Sequence, residues 1–152
     1  MALGFHRKII ESYKAFPNCE LVWVIGPSND GSCQDLLDAK QNVIQTNSNS
    51  RAERINIGIK ASQHPVILIN HPRSFLTFGA LNTISKLDIK NQKIWGGFTH
   101  AFYQTRHPVL KFTSFYSNLF RFGLFNIVYL DHCIFLTRNL IDPQDSKSDA
   151  KA

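Results

Sequence analysis

Residues 47–72 read NSNSRAERINIGIKASQHPVILINHP, and the way this stretch folds decides the fold of the chain. A polar loop leads into a helical pattern that opens at Arg51. Ala52, Ile55 and Ile59 fall on one face at helical spacing, and Asn49 or Ser50 is placed to accept bonds from the free amides of the first turn. The run from Val66 to Ile69 is short, apolar and uninterrupted, the pattern of a strand buried on both faces, and it stops abruptly at Asn70-His71-Pro72-Arg73. Ligands of α/β proteins bind where helices start and strands end, because amides and side chains converge there. This stretch supplies both, with Arg51 and Arg54 near the mouth.

On its N-terminal side, Phe5, Ile9, Tyr13 and Phe16 recur at about helical spacing until Pro17-Asn18 breaks the pattern, which predicts an opening amphipathic helix lying over a sheet. Leu21 to Ile25 is the first strand, running into the turn-rich GPSNDGS of residues 26–32. Ser32 with Asp35 imitates a capping box, and Leu36, Leu37 and Ala39 carry a helix to Lys40. Val43-Ile44-Gln45 reads as a second strand. Residues 20–70 then form a β-α-β-α-β series, and right-handed crossovers make its sheet mainly parallel, in a three-layer α/β sandwich of the Rossmann-like kind.

On the C-terminal side, Thr77 caps a helix that uses Phe78, Leu81 and Ile84, and Trp95 to Phe98 begins an extended segment. Residues 108–122 place Phe112, Phe115, Leu119 and Phe122 near one side, which predicts a largely buried or docked helix. Cys133 to Leu136 is a last strand. One domain over residues 1–141 and a polar tail over 142–152 account for the whole length.

Composition narrows the function classes. With 43% hydrophobic and 18% charged residues the chain folds rather than staying disordered. A net charge of +6 and a pI near 9.4 favour phosphate-bearing partners. The basic residues are scattered and match no nucleic-acid-binding motif, which argues against a specific nucleic-acid partner. Cys19, Cys33 and Cys133 are widely spaced and predict reduced thiols in a cytoplasmic setting. No run approaches the roughly 18 apolar residues of a membrane-spanning helix, and the N-terminus lacks the apolar core of a signal peptide.

Five segments, taken together and in order, resemble the family 2 glycosyltransferases of the small bacterial branch. VWVIGPSNDGS (22–32) is similar to the family's VVDGGSTDGT-like loop, RAERINIG (51–58) to its RARQMNAG-like helix, and ILINHPRS (67–74) to its strand ending in LHADT. WGGF (95–98) and LDHCIFLTR (130–138) are similar to its later WGxF and GDQAIFV pair. The resemblance implies a nucleotide-diphospho-sugar transferase-like fold that moves a sugar from a nucleotide-sugar donor to an acceptor whose identity the sequence does not give. It also implies that Ser28, Asp30 and Gly31 meet the base or ribose, that Arg51 meets the diphosphate and that Asn56 shapes the helix's approach. Asn70 and His71 stand at the family's metal motif, and Asp131 matches its late functional carboxylate.

Three departures accompany these matches. Ile25 stands where the family has an acidic residue, and Asn70-His71-Pro72 replaces its Asp-containing motif. A manganese or magnesium ion on a diphosphate wants anionic oxygen ligands, which an amide and an imidazole replace poorly. A helix stands where the family begins with a strand, so a sheet edge is left open to a second copy of the chain.

Each feature also has a plainer explanation. Asp30-Gly31 serves many simple turns, Arg51 and Arg54 could form the solvated face of a helix, and His71 could be an ordinary loop residue. His132 and Cys133 are neighbours that a strand would point to opposite faces, which argues against a Cys-His nucleophile pair. Beside a glycosyltransferase stand two alternatives. One is a non-catalytic relative acting as a binding or interaction module. The other is a basic protein making peripheral membrane contact through residues 108–128, for which burial of those residues in the core is the simpler account.

Overall fold

The computed structural model describes residues 3–87, 89, 92–102, 107–125, 127 and 132–141. The fold is mixed α/β. Helix α1 (Leu3–Tyr13) is followed by β1 (Val22–Ile25), α2 (Ser32–Asp38), β2 (Asn42–Gln45), α3 (Arg51–Ala61), β3 (Val66–Ile69) and α4 (Phe78–Ser85). The remainder comprises β4 (Trp95–Gly96), α5 (Pro108–Tyr116) with a π-helical continuation over Ser117–Leu124, β5 (Ile134–Thr137) and a 3₁₀ turn, Arg138–Leu140.

The expected single parallel sheet is replaced by two small ones. β1 and β2 pair in parallel, Val22 opposite Asn42 through Ile25 opposite Gln45. β3 instead pairs antiparallel with β5, Val66 opposite Thr137, and β5 pairs antiparallel with β4, giving the order β3-β5-β4. Sequential strands usually neighbour one another, but here β3 takes its partner from a segment some seventy residues further on. Arg138, directly after β5, secures that return through four hydrogen bonds to the end of α3 and the turn after it.

Helix α1 joins the two halves. Ile9 and Tyr13, four residues apart and so on one face, are buried with Leu76, Leu81 and Cys133, and against this cluster pack Trp23 of β1 and Leu68 of β3. Burial raises the pKa of the Tyr13 phenol well above its usual value, with smaller contributions from Cys19 and Cys133. α3 lies on β1 at close range: a Cβ on Gly58 would stand 3.3 Å from Val24. Between β1 and β3, over this apolar floor, runs a cleft of about 1270 Å³.

Local signals set the helix starts. Ser50 accepts from the Glu53 amide at the head of α3, and Thr77 does the same for Ala80 at α4, bonds worth about 1 kcal/mol each. The capping box expected at Ser32 is absent. Gly31 is the N-cap, in the left-handed region at φ 78°, and Ser32 is already inside the helix with its amide held by Asp30.

The expectation for residues 108–122 is overturned. The helix forms, but Phe112 and Phe115 are 67% and 58% exposed, and the buried residues are Ser114 and Ser117. Polar groups attach it to the body. Asn118 exchanges two hydrogen bonds with the backbone of His100, 3.0 and 2.8 Å, and the Ser117 hydroxyl lies 3.4 Å from His132 Nε2. His132 is almost wholly buried, and its Nδ1 lies 2.9 Å from the Phe98 carbonyl. A carbonyl only accepts, so the proton sits on Nδ1 and Nε2 accepts from Ser117. The expected tail, residues 142–152, lies outside the described residues.

Candidate functional site

β1 and β3 end on the same side of the cleft, and there the loops after them meet the start of α3. Ser28, Asp30, Arg51, Arg54, Asn70 and His71 all line this end. The geometry begins with Gly26, the first residue past β1. A Cβ there would lie 2.6 Å from the Arg54 guanidinium and 2.9 Å from the Ser48 carbonyl oxygen. Without one, Arg54 folds over the strand end and donates to the Ser48 carbonyl at 2.8 Å.

The turn from Ser28 to Gly31 is organised by its own side chains. Asp30 Oδ1 accepts from the Ser32 amide at 3.0 Å, and the Asp30 amide approaches Ser28 Oγ at 3.4 Å. The bond from the Ser32 amide, then those from the Ser32 and Ser28 hydroxyls, hold the Asp30 carboxyl below its usual range. Asp30 thus builds the turn and also lines the cleft.

Across the cleft mouth, Arg51 Nη2 lies 3.4 Å from His71 Nε2. His71 Nδ1 accepts from the Arg73 amide at 3.2 Å, which places the proton of the neutral ring on Nε2, facing the guanidinium. Two donors from different elements therefore point at one spot. Among the described residues no ion pair engages Arg51, Arg54 or Arg73, the described pair being Lys14 with Glu11 on α1. The mouth thus sets the three arginines and the His71 ring beside a single carboxylate, Asp30, which makes no ion pair with them.

Asn70 is turned inward. Its amide nitrogen donates to the Ser74 carbonyl at 3.0 Å, and its oxygen accepts from Cys133 Sγ at 2.9 Å. A divalent ion does not fit this pair, because the Asn70 oxygen is engaged and His71 is set between the Arg73 amide and the Arg51 guanidinium. Among the described residues no cluster of three His, Cys, Asp or Glu side chains could hold a metal.

Of the residues singled out in the sequence, Ser28, Asp30, Arg51, Asn70 and His71 line the cleft, while Gly31 caps α2 and does not line it. Asn56 does not: it is exposed on α3 and does not line the cleft. Asp131 lies outside the described residues. Sequence reasoning passed over Gly26, Arg73 and the role of Cys133. A glycine directly after a strand is a recognised mark of close approach, and Arg73 stands beside His71 in the chain. No local signal ties Cys133 to Asn70, sixty-three residues away.

Comparison with protein-family models, with curated proteins and with solved structures finds no match to this chain.

Proposed function

We propose that this is a glycosyltransferase-like domain that binds a nucleotide-diphospho-sugar at the carboxyl ends of β1 and β3. The observation that carries the reading is the convergence of Arg51 and His71, two donors 3.4 Å apart at a mouth where no carboxylate neutralises the arginines among the described residues. An anionic oxygen set to one side of the pair, about 3 Å from each nitrogen, would accept from both, and Arg73 adds charge beside it.

In this reading the Ser28–Gly31 turn holds the nucleoside. Arg51, His71 and Arg73 hold the diphosphate without routing any step through a metal ion. Asp131, assigned on the resemblance alone, takes the proton of an acceptor hydroxyl. The acceptor oxygen then bonds to the anomeric carbon as the sugar–diphosphate bond breaks, and the charge gathering on the departing diphosphate is met by the same guanidiniums. Chemical-shift mapping with uridine and guanosine diphosphate sugars tests the placement. Perturbation at Asp30, Arg51 and His71 but not at Asn56 supports it, and perturbation scattered elsewhere counts against it.

A specific observation favours a second reading, a non-catalytic interaction module. The long walls of the cleft are β1 and β3, and among the described residues each is paired along one edge alone, with β2 and with β5. Two facing strand edges suit an extended peptide, including a strand from a second copy, which would join the halves into one sheet. The cleft also exceeds the roughly 300–1,000 Å³ of an ordinary small-molecule pocket. Slowed amide exchange along both β1 and β3 as protein concentration rises would favour this reading over the first.

A further inference from the structure

The helix formed by α5 and its π-helical continuation is turned inside out. An amphipathic helix on a globular protein ordinarily buries its apolar stripe and shows water its polar side. Here Ser114 and Ser117 are buried and Asn118 is bonded to the backbone of His100, while Val109, Phe112, Phe115, Tyr116, Leu119 and Phe120 are exposed. At 100° per residue these six fall within one broad sector, and Leu110, also exposed, lies outside it. Leu124 at the end of the helix and Phe125 and Ile127 just after it are exposed as well. Exposed apolar surface of this extent marks a binding face.

Charge identifies what the face meets. Between Asp88 and Asp131 the sequence contains no acidic residue, yet it contains Lys90, Lys93, Arg106, Lys111 and Arg121. Those five positive charges nearly equal the chain's whole net charge of +6, so the stretch of sequence that carries the stripe is one-sided in charge. A protein partner would need both an apolar groove and a surplus of acids. An anionic lipid surface offers both properties at once, an apolar interior to receive aromatic side chains and a negative headgroup layer to receive lysine and arginine. No helix among the described residues is long and apolar enough to cross a membrane, and one lying in the interface needs no such length.

We propose that residues 108–127 form a peripheral membrane-docking face, with the Phe112 and Phe115 side of the helix inserted at the headgroup boundary of an anionic bilayer. The proposal is independent of the nucleotide-sugar reading, since it uses a different surface and different residues.

Co-sedimentation with lipid vesicles tests it on the intact chain. Wild-type protein should bind vesicles made from equal parts phosphatidylcholine and phosphatidylglycerol about tenfold or more tightly than pure phosphatidylcholine, and added salt should weaken that binding. Replacing Phe112 and Phe115 together by serine should weaken binding to the mixed vesicles by about tenfold or more. Both side chains are exposed, so the thermal unfolding midpoint should stay put and loss of fold is separable from loss of docking. Three outcomes overturn the proposal: no binding to either vesicle, equal binding to both, or undiminished binding by the double variant. Sedimentation velocity supplies a fourth, a wild-type dimer that the same variant returns to monomer, which would assign the face to a second copy.

Discussion

The Arg138 guanidinium closes over the end of α3 at Ser62: Nη2 lies 2.6 Å from the Ser62 carbonyl oxygen and 3.0 Å from its hydroxyl. The same group reaches the carbonyls of Ile59 at 3.4 Å and His64 at 3.3 Å, while the Arg138 amide donates to Pro65 at 2.8 Å. A helix ends with carbonyls that have no partner within it and with the negative end of its dipole, and a forked cation answers both. The contact also fixes the register of β5 against β3.

Arg138→Ala should therefore destabilise the fold by about 1.5 to 3 kcal/mol, the usual worth of hydrogen bonds to a charged group, read from urea unfolding. Arg138→Lys should recover little, because an ammonium cannot reproduce the fork. An unchanged unfolding midpoint for the alanine variant would mean that β5 is held by its strand pairing alone.

His132 is the buried peg through which the α5 helix is fastened, with the Phe98 carbonyl on one nitrogen and the Ser117 hydroxyl on the other. His132→Ala should cost about 2 to 4 kcal/mol, from a cavity together with a half-buried carbonyl left without its donor. Amide exchange should accelerate first across residues 108–120, ahead of β1 and β2. Uniform acceleration through the whole chain would instead show that the helix is not separately anchored.

The Asp30 turn predicts a pH dependence of known sign. Hydrogen bonds to the carboxylate favour its charged form, so the folded pKa lies below the usual 3.8. Its contribution to stability is then fully present above that value and is lost as pH falls through the lower folded pKa. Carbon-detected NMR titration should find the Asp30 midpoint below 3.8, and Asp30→Ala should remove the corresponding acid limb from the pH–stability curve. A midpoint at or above the ordinary value would show that the turn does not hold the carboxylate.

The two halves of the fold were unequally legible in the sequence. Every helix and strand between Val22 and Ser85 follows from local patterns, because the apolar spacing and the caps at Ser50 and Thr77 act within a few residues. The pairing of β3 was not legible, since its partner Ile134–Thr137 is fixed by contacts far along the chain, those of Arg138 among them. The orientation of the α5 helix was misread for a related reason. Spacing shows that Phe112, Phe115 and Leu119 share a face, but Ser117, Asn118 and their distant partners His132 and His100 determine which face turns inward. At the site, Asp30, Arg51 and His71 all line the cleft although the single parallel sheet expected to bring them together does not form, and the inward turn of Asn70 depends on Cys133.

The central claim is that Arg51 and His71 frame a diphosphate, and calorimetric titration of a uridine or guanosine diphosphate sugar into wild-type protein and Arg51→Ala tests it most directly. The wild type should bind at least one such sugar, with an affinity little changed by manganese. Arg51→Ala should weaken that binding by about 1.5 to 3 kcal/mol and leave the urea midpoint in place, since Arg51 is exposed. Absence of binding to any of these sugars at millimolar concentration, or equal binding by the two proteins, would contradict the account.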